Sequence, residues 1–161
     1  MWIQNVSMAD IVKGHHNLPD KRTVLIQIQD FGTWQFALPK YKDDFVSINQ
    51  FRFDDIEDDI GSACQREQAE QLVEILQKAQ LDNHNVIVHC HAGICRSGAV
   101  AEVGVMMGFD EPDRHRIPNL LVKRKMMQKL GWTYDEQEIR SDDPLRWDEW
   151  AELYYKNNTS T

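Results

Sequence analysis

Apolar and polar positions switch between two periods along this chain, and the switching predicts an alternation of strands and helices. Residues 2–6 alternate like a short strand, and Ser7 is placed to cap a helix over residues 8–13. The β-branched run at 23–28 predicts a second strand. Pro39 and the charged residues 40–44 then break the pattern. Phe45, Ile48, Phe51 and Phe53 mark a third strand over 45–53, with Ile48 slightly off phase. Ser62-x-x-Gln65 reads as a capping box opening a helix that runs to about Gln80, with Ala69, Leu72, Val73, Leu76 and Ala79 as its apolar stripe.

The linker at 82–85 leads into Val86-Ile87-Val88, the most buried-looking stretch and therefore the candidate central strand. A helix is expected over 98–107, closed by residues 108–112. Past Pro118, residues 119–130 carry helical spacing at Leu121, Val122, Met126 and Leu130. Residues 143–155 carry it at Leu145, Trp150, Leu153 and Tyr154. Met106, Met107, Met126 and Met127 read as core filler. The order implies an α/β fold, a mostly parallel sheet of about four to five strands flanked by helices, in one domain over 1–156 with a frayed tail at 157–161.

The segment after the central strand carries the chemistry. His89-Cys90-His91-Ala92-Gly93-Ile94-Cys95-Arg96-Ser97-Gly98 joins a buried strand to a small-residue helix through a glycine-containing turn, so that helix amides point into the turn and make an anion site. A thiol held there is expected to ionise near neutral pH, since a helix N-terminus and a neighbouring cation lower a cysteine pKa from about 8.5 to roughly 3.5–7.5. Cys90 is the candidate nucleophile. Arg96, across the turn, offers two parallel N–H donors to phosphate oxygens, a geometry lysine lacks.

Composition narrows the classes. In 161 residues, 42% hydrophobic, the chain can bury a real core. A net charge of −8 argues against general binding to nucleic acid or to an anionic membrane. The charge is uneven. Asp54, Asp55, Glu57, Asp58 and Asp59 cluster, whereas Arg114, Arg116, Lys123, Arg124, Lys125 and Lys129 form a basic stretch. Three cysteines without framework spacing suggest a reducing compartment, and the first residues lack a basic region followed by an apolar core, so a cytoplasmic location is expected. No histidine, cysteine and carboxylate grouping has metal-ligand spacing, and no metal or other cofactor is expected.

The His-Cys-x-Ala-Gly-x-x-Arg-Ser pattern resembles the signature loop of the cysteine-dependent protein tyrosine phosphatases, most of all the dual-specificity branch and its small bacterial and phage members. The resemblance implies a hydrolase acting on phosphotyrosine, and also on phosphoserine and phosphothreonine, through a phosphocysteine intermediate on Cys90. Arg96 and the loop amides of His91, Ala92, Gly93, Ile94 and Cys95 would bind the phosphate. Ser97 would donate to the departing thiolate. His89 would lie beneath the loop, ordering its carbonyls and helping to keep Cys90 ionised, and Asn119, after Pro118, would support the loop.

The resemblance also implies a general acid on an upstream loop. Phe53-Asp54-Asp55 fits best with Asp55 as that acid, and Asp58 and Asp54 remain the alternatives. Cys95 or Cys64 is a candidate redox partner of Cys90. The interval between Arg96 and Pro118 is shorter than in most of the family, and His91 stands where phosphoinositide phosphatases have lysine. Two rival readings stay open. One is an RNA 5′-triphosphatase, and the other a phosphate-binding module without turnover. The expected partner is a phosphorylated protein or peptide.

Overall fold

The computed structural model describes residues 1–132. The helix expected over 143–155, the tail and the outer end of the expected domain lie outside them. The elements run β1 (Ile3–Ser7), α1 (Met8–Lys13), β2 (Thr23–Gln29), β3 (Ser47–Arg52), α2 (Arg66–Leu81), β4 (Asn85–Cys90), α3 (Arg96–Met107) and α4 (Leu120–Lys129).

Among the described residues the strand pairs are parallel, in the order β1-β4-β2-β3, so the apolar strand β4 lies between β1 and β2. Val86, Ile87 and Val88 are fully buried. Each such side chain contributes about 1.5–3 kcal/mol through its removal from water, which explains why the least polar run takes a central place. A parallel sheet gathers the C-terminal ends of its strands at one edge, where open α/β folds build their sites. Here that edge carries the turns after β2, β3 and β4.

The structure corrects three local readings. Helix α2 starts at Arg66 with Gln65 as its N-cap, and the reciprocal box is Gln65 with Gln68. Ser62 is drawn away because its backbone carbonyl accepts from Asp54 N–H at 2.8 Å and its side chain bonds the Asp54 carboxylate. Helix α3 begins at Arg96, two residues before Gly98, so the arginine sits in its first turn. Met106 is 43% exposed and fills no core, unlike the fully buried Met126. Ser7 caps α1 as expected, accepting from Asp10 N–H at 3.0 Å.

Candidate active site

The turn between β4 and α3 is held from outside by its carbonyls. His91 O accepts from Met8 N–H at 3.1 Å, Gly93 O from Asn5 Nδ2 at 2.8 Å, Ile94 O from Ile117 N–H at 3.1 Å, and Cys95 O from Ala99 and Asn119 N–H at 2.9 Å each. In a trans peptide each carbonyl opposes the next residue's N–H, and no peptide bond among the described residues is cis. The amides of Ala92, Ile94, Cys95 and Arg96 therefore turn to the concave side. That is the geometry of an anion cradle.

Gly93 makes the curvature possible. Its φ is +76°, and a Cβ there would stand 2.4 Å from both Val6 C and Ser7 N. Backbone atoms of a paired strand cannot yield cheaply. Gly93→Ala is expected to cost about 3 kcal/mol from left-handed strain plus overpacking, seen as a lower Tm together with loss of phosphate binding.

Cys90 ends β4 with its side chain inside this turn and only 2% exposed. Gly93 N–H donates to its Sγ at 3.2 Å, and Ser97 Oγ lies 3.2 Å from the same sulfur. Two polar hydrogens can thus stabilise negative charge on sulfur. Arg96, 4% exposed, donates from Nη1 to Phe53 O and to Asp30 Oδ1, both at 2.8 Å. Its Nε is buried and has no partner. A buried guanidinium N–H without an acceptor is costly, so the Nε edge is poised for an anion.

His89 is fully buried, with Nδ1 3.2 Å from Cys90 O. A carbonyl only accepts, so Nδ1 carries the proton, and burial pulls the imidazole pKa down to about 4. The ring is neutral and orders a carbonyl without adding positive charge beneath the sulfur. The unfolded chain protonates near 6.5, above the folded value, so stability is complete above pH 6.5 and is lost as pH falls toward 4. The loss should reach about 3 kcal/mol. Denaturant titrations at pH 7 and pH 4.5 check this, with His89→Gln expected to flatten the difference.

The acidic loop after β3 is tied to α4. Asn119 Nδ2 donates to Asp55 Oδ1 at 2.9 Å and to Ile56 O at 3.1 Å, Leu120 N–H donates to Glu57 Oε2 at 2.8 Å, and Lys125 Nζ to Asp59 Oδ1 at 2.7 Å. Asp54 Oδ1 accepts from Phe31 N–H at 3.0 Å. That bond, the Ser62 side chain and the charge of Arg96 hold the Asp54 carboxyl below its usual pKa. Asp58 is exposed, and none of these contacts engages it.

Asn119 meets the turn through its main chain. Its side-chain oxygen caps α4 by accepting from Leu121 and Val122 N–H, and its amide nitrogen holds the acidic loop. Cys64 donates from Sγ to Gln65 O at 3.6 Å, and burial pushes its thiol up to about 12, so it stays protonated. Cys64, Cys90 and Cys95 are all unbridged.

Two contributors have no mark in the sequence reading. Asp30 follows β2 and pairs with Arg96, and Asn5, 1% exposed in β1, donates to Gly93 O and His115 O. A polar residue inside an otherwise buried strand was the available signal for Asn5. Among the described residues no histidine, cysteine and carboxylate cluster could hold a metal ion.

No protein-family model and no curated protein matches the chain. Solved structures do, over most of its length. The chain is similar to solved tyrosine phosphatases. The human tyrosine phosphatase-like serine/threonine/tyrosine-interacting protein aligns at 18% identity and TM-score 0.49, over 68% of this chain and 76% of that one. OH1 from the Orf virus, a tyrosine phosphatase described as having triple substrate specificity, aligns at 16% and 0.45, over 96% and 69%. Tk-PTP in its active form aligns at 14% and 0.45, over 96% and 94%. The likeness to these structures is one of chain path, and any chemistry rests on this chain's own residues.

Proposed function

We propose that this chain is a cysteine-dependent phosphatase that hydrolyses phosphotyrosine, and also phosphoserine and phosphothreonine, in protein or peptide substrates. The observation that carries the reading is the unpartnered Nε–H of buried Arg96, on the same turn as Cys90 and its inward amides. These donors suit three equatorial oxygens of a phosphoryl group in a loose transition state.

In the first step the Cys90 thiolate attacks phosphorus, an S–P bond forms, and the ester P–O bond breaks. The leaving oxygen takes a proton from the acid loop. In the second step water attacks the phosphocysteine and gives its proton to the same carboxylate, the S–P bond breaks, and the Ser97 hydroxyl donates to the departing thiolate. We assign the acid to Asp55. It lies two residues from Phe53, whose carbonyl touches Arg96, and so within about 7 Å of that carbonyl by chain length. Asn119 Nδ2 donates to its Oδ1 and so orients the carboxyl group. Asp54, held ionised, is a poor donor.

Turnover of para-nitrophenyl phosphate without added metal tests the proposal. Asp55→Ala is expected to lower kcat roughly 10²-fold, as loss of a general acid does, and to abolish the basic limb of the pH profile. Asp58→Ala should stay within about threefold of wild type, since an exposed, unengaged carboxylate contributes little. The opposite ranking would move the acid to Asp58. The RNA reading finds no support in the basic stretch. Five of its six cations are ion-paired: Arg114 with Asp10, Arg116 with Glu102 and Glu111, Lys123 with Glu102, Lys125 with Asp59, and Lys129 with Glu74. Cations already neutralised release few counterions from a polynucleotide.

Among the described residues no helix is long and apolar enough to cross a membrane. The proposed location is the cytoplasm, where a reducing milieu keeps Cys90 competent.

A further inference from the structure

Residues 30–38, between β2 and β3, expose large apolar side chains that the core does not use. Phe31 is 57% exposed, Trp34 91% and Leu38 67%. Exposed apolar groups gathered on one segment mark a contact surface more often than isolated ones do.

The backbone beneath them is fixed. Thr33 N–H donates to Asp30 O at 2.9 Å, Gln29 Oε1 accepts from Ala37 N–H at 2.7 Å, and Gln27 Nε2 donates to Ala37 O at 2.8 Å. Arg52 Nε donates to Thr33 O at 3.0 Å, and its guanidinium lies 4.6 Å from the centre of the Phe36 ring. The segment starts at Asp30, the ion-pair partner of Arg96, and Phe31 N–H holds Asp54. A turn keeps residues 30 and 33 within about 7 Å, so Trp34 follows directly on a turn that begins at the ion-pair partner of Arg96. A side chain presented on a rigid backbone has little freedom left to lose on binding.

The surroundings of this segment are acidic. Asp30 meets Arg96, Asp54 is held by Phe31 N–H, and Asp55, Glu57 and Asp58 follow on the same loop, while the nearby cations are committed, Arg52 to Thr33 and Phe36 and Lys125 to Asp59 and Cys64 O. The centre attracts a phosphate while its surroundings attract positive charge. An acidic rim repels an anionic bilayer, so the exposed aromatics suit a peptide better than a lipid surface.

We propose that Trp34, with Phe31 beside it, docks an apolar side chain next to the phosphorylated residue of a basic phosphopeptide. The proposal rests on the phosphatase reading above and names its substrate class. Basic residues flanking the phosphorylated one lie against the acidic rim, and the apolar residue covers the Trp34 ring.

The test compares wild type and Trp34→Ala on three substrates: para-nitrophenyl phosphate, a phosphotyrosine peptide with leucine and arginine neighbours, and the same peptide with aspartates for arginines. Trp34→Ala is expected to raise KM for the basic peptide about tenfold, the effect of truncating an interface anchor, with kcat and the small ester changed less than about twofold. Wild type should prefer the basic peptide over the acidic one, and the preference should shrink as salt rises. Equal loss on all substrates, no loss on the peptide, or no charge preference overturns the docking surface while leaving the phosphatase intact. Trp34-dependent sedimentation with phosphatidylserine vesicles also overturns it, in favour of a membrane. If wild type cleaves none of the three, the phosphatase reading itself has failed.

Discussion

Cys90→Ser is expected to abolish turnover of para-nitrophenyl phosphate, by on the order of 10⁴-fold or more, while keeping oxyanion binding. A serine hydroxyl retains nearly the shape of the thiol but is a far weaker nucleophile without an adjacent base. The groups on Cys90 Sγ are Gly93 N–H and Ser97 Oγ, neither of them a base, and His89 uses Nδ1 on the Cys90 carbonyl. The cradle is otherwise untouched, since its carbonyl anchors on Met8, Asn5, Ile117 and Asn119 do not involve the sulfur. Calorimetric titration with phosphate or tungstate should therefore give an affinity within a few fold of wild type. A Cys90→Ser protein that still turns over at more than a hundredth of the wild-type rate would exclude sulfur as the nucleophile.

Arg96→Lys is expected to lower kcat by roughly 10²–10³-fold, the usual scale for removing a preorganised donor from developing negative charge, and to weaken phosphate binding as well. Lysine keeps the charge and loses the fork. On the proposed reading the guanidinium has two duties, because Nη1 bridges Asp30 and Phe53 O while the buried Nε–H, which has no partner in the protein, serves the anion. A single ammonium cannot serve both sides. The bridging side also makes Asp30 a positioning residue, so Asp30→Asn should raise KM for small aryl phosphates more than it lowers kcat.

How much of this was legible in the sequence follows from the range of each interaction. The strand-loop-helix around Cys90 is local, and residue type within ten positions was enough to predict the buried strand and the glycine-containing turn that follows it. The sheet contributed what no local pattern records. Placing β4 between β1 and β2 brings Asn5 and Asp30 to the turn although they lie 88 and 66 residues from the groups they touch. Parallel crossovers make such neighbours, and a lone polar residue gives no sign of which strand end it will meet.

The acid loop was half legible. Its carboxylates were evident, but which of them remain available depends on α4, whose N-terminus and Lys125 engage Glu57 and Asp59. The α2 cap failed for a related reason. Ser62 had the right residue type at the right spacing, and a tertiary partner, Asp54, competed successfully for it.

Asn119 has a consequence for timing. One residue clasps both halves of the machinery, its main chain on Cys95 O and its amide on the Asp55 carboxylate. On the proposed assignment of Asp55 as proton donor, the donor and the turn at Cys90 are thus mechanically geared, so that swinging the donor outward to admit a bulky substrate tugs on the turn that must grip it. Admission and release, rather than bond breaking, would then govern throughput on large substrates, and solvent viscosity should slow those while sparing small aryl esters.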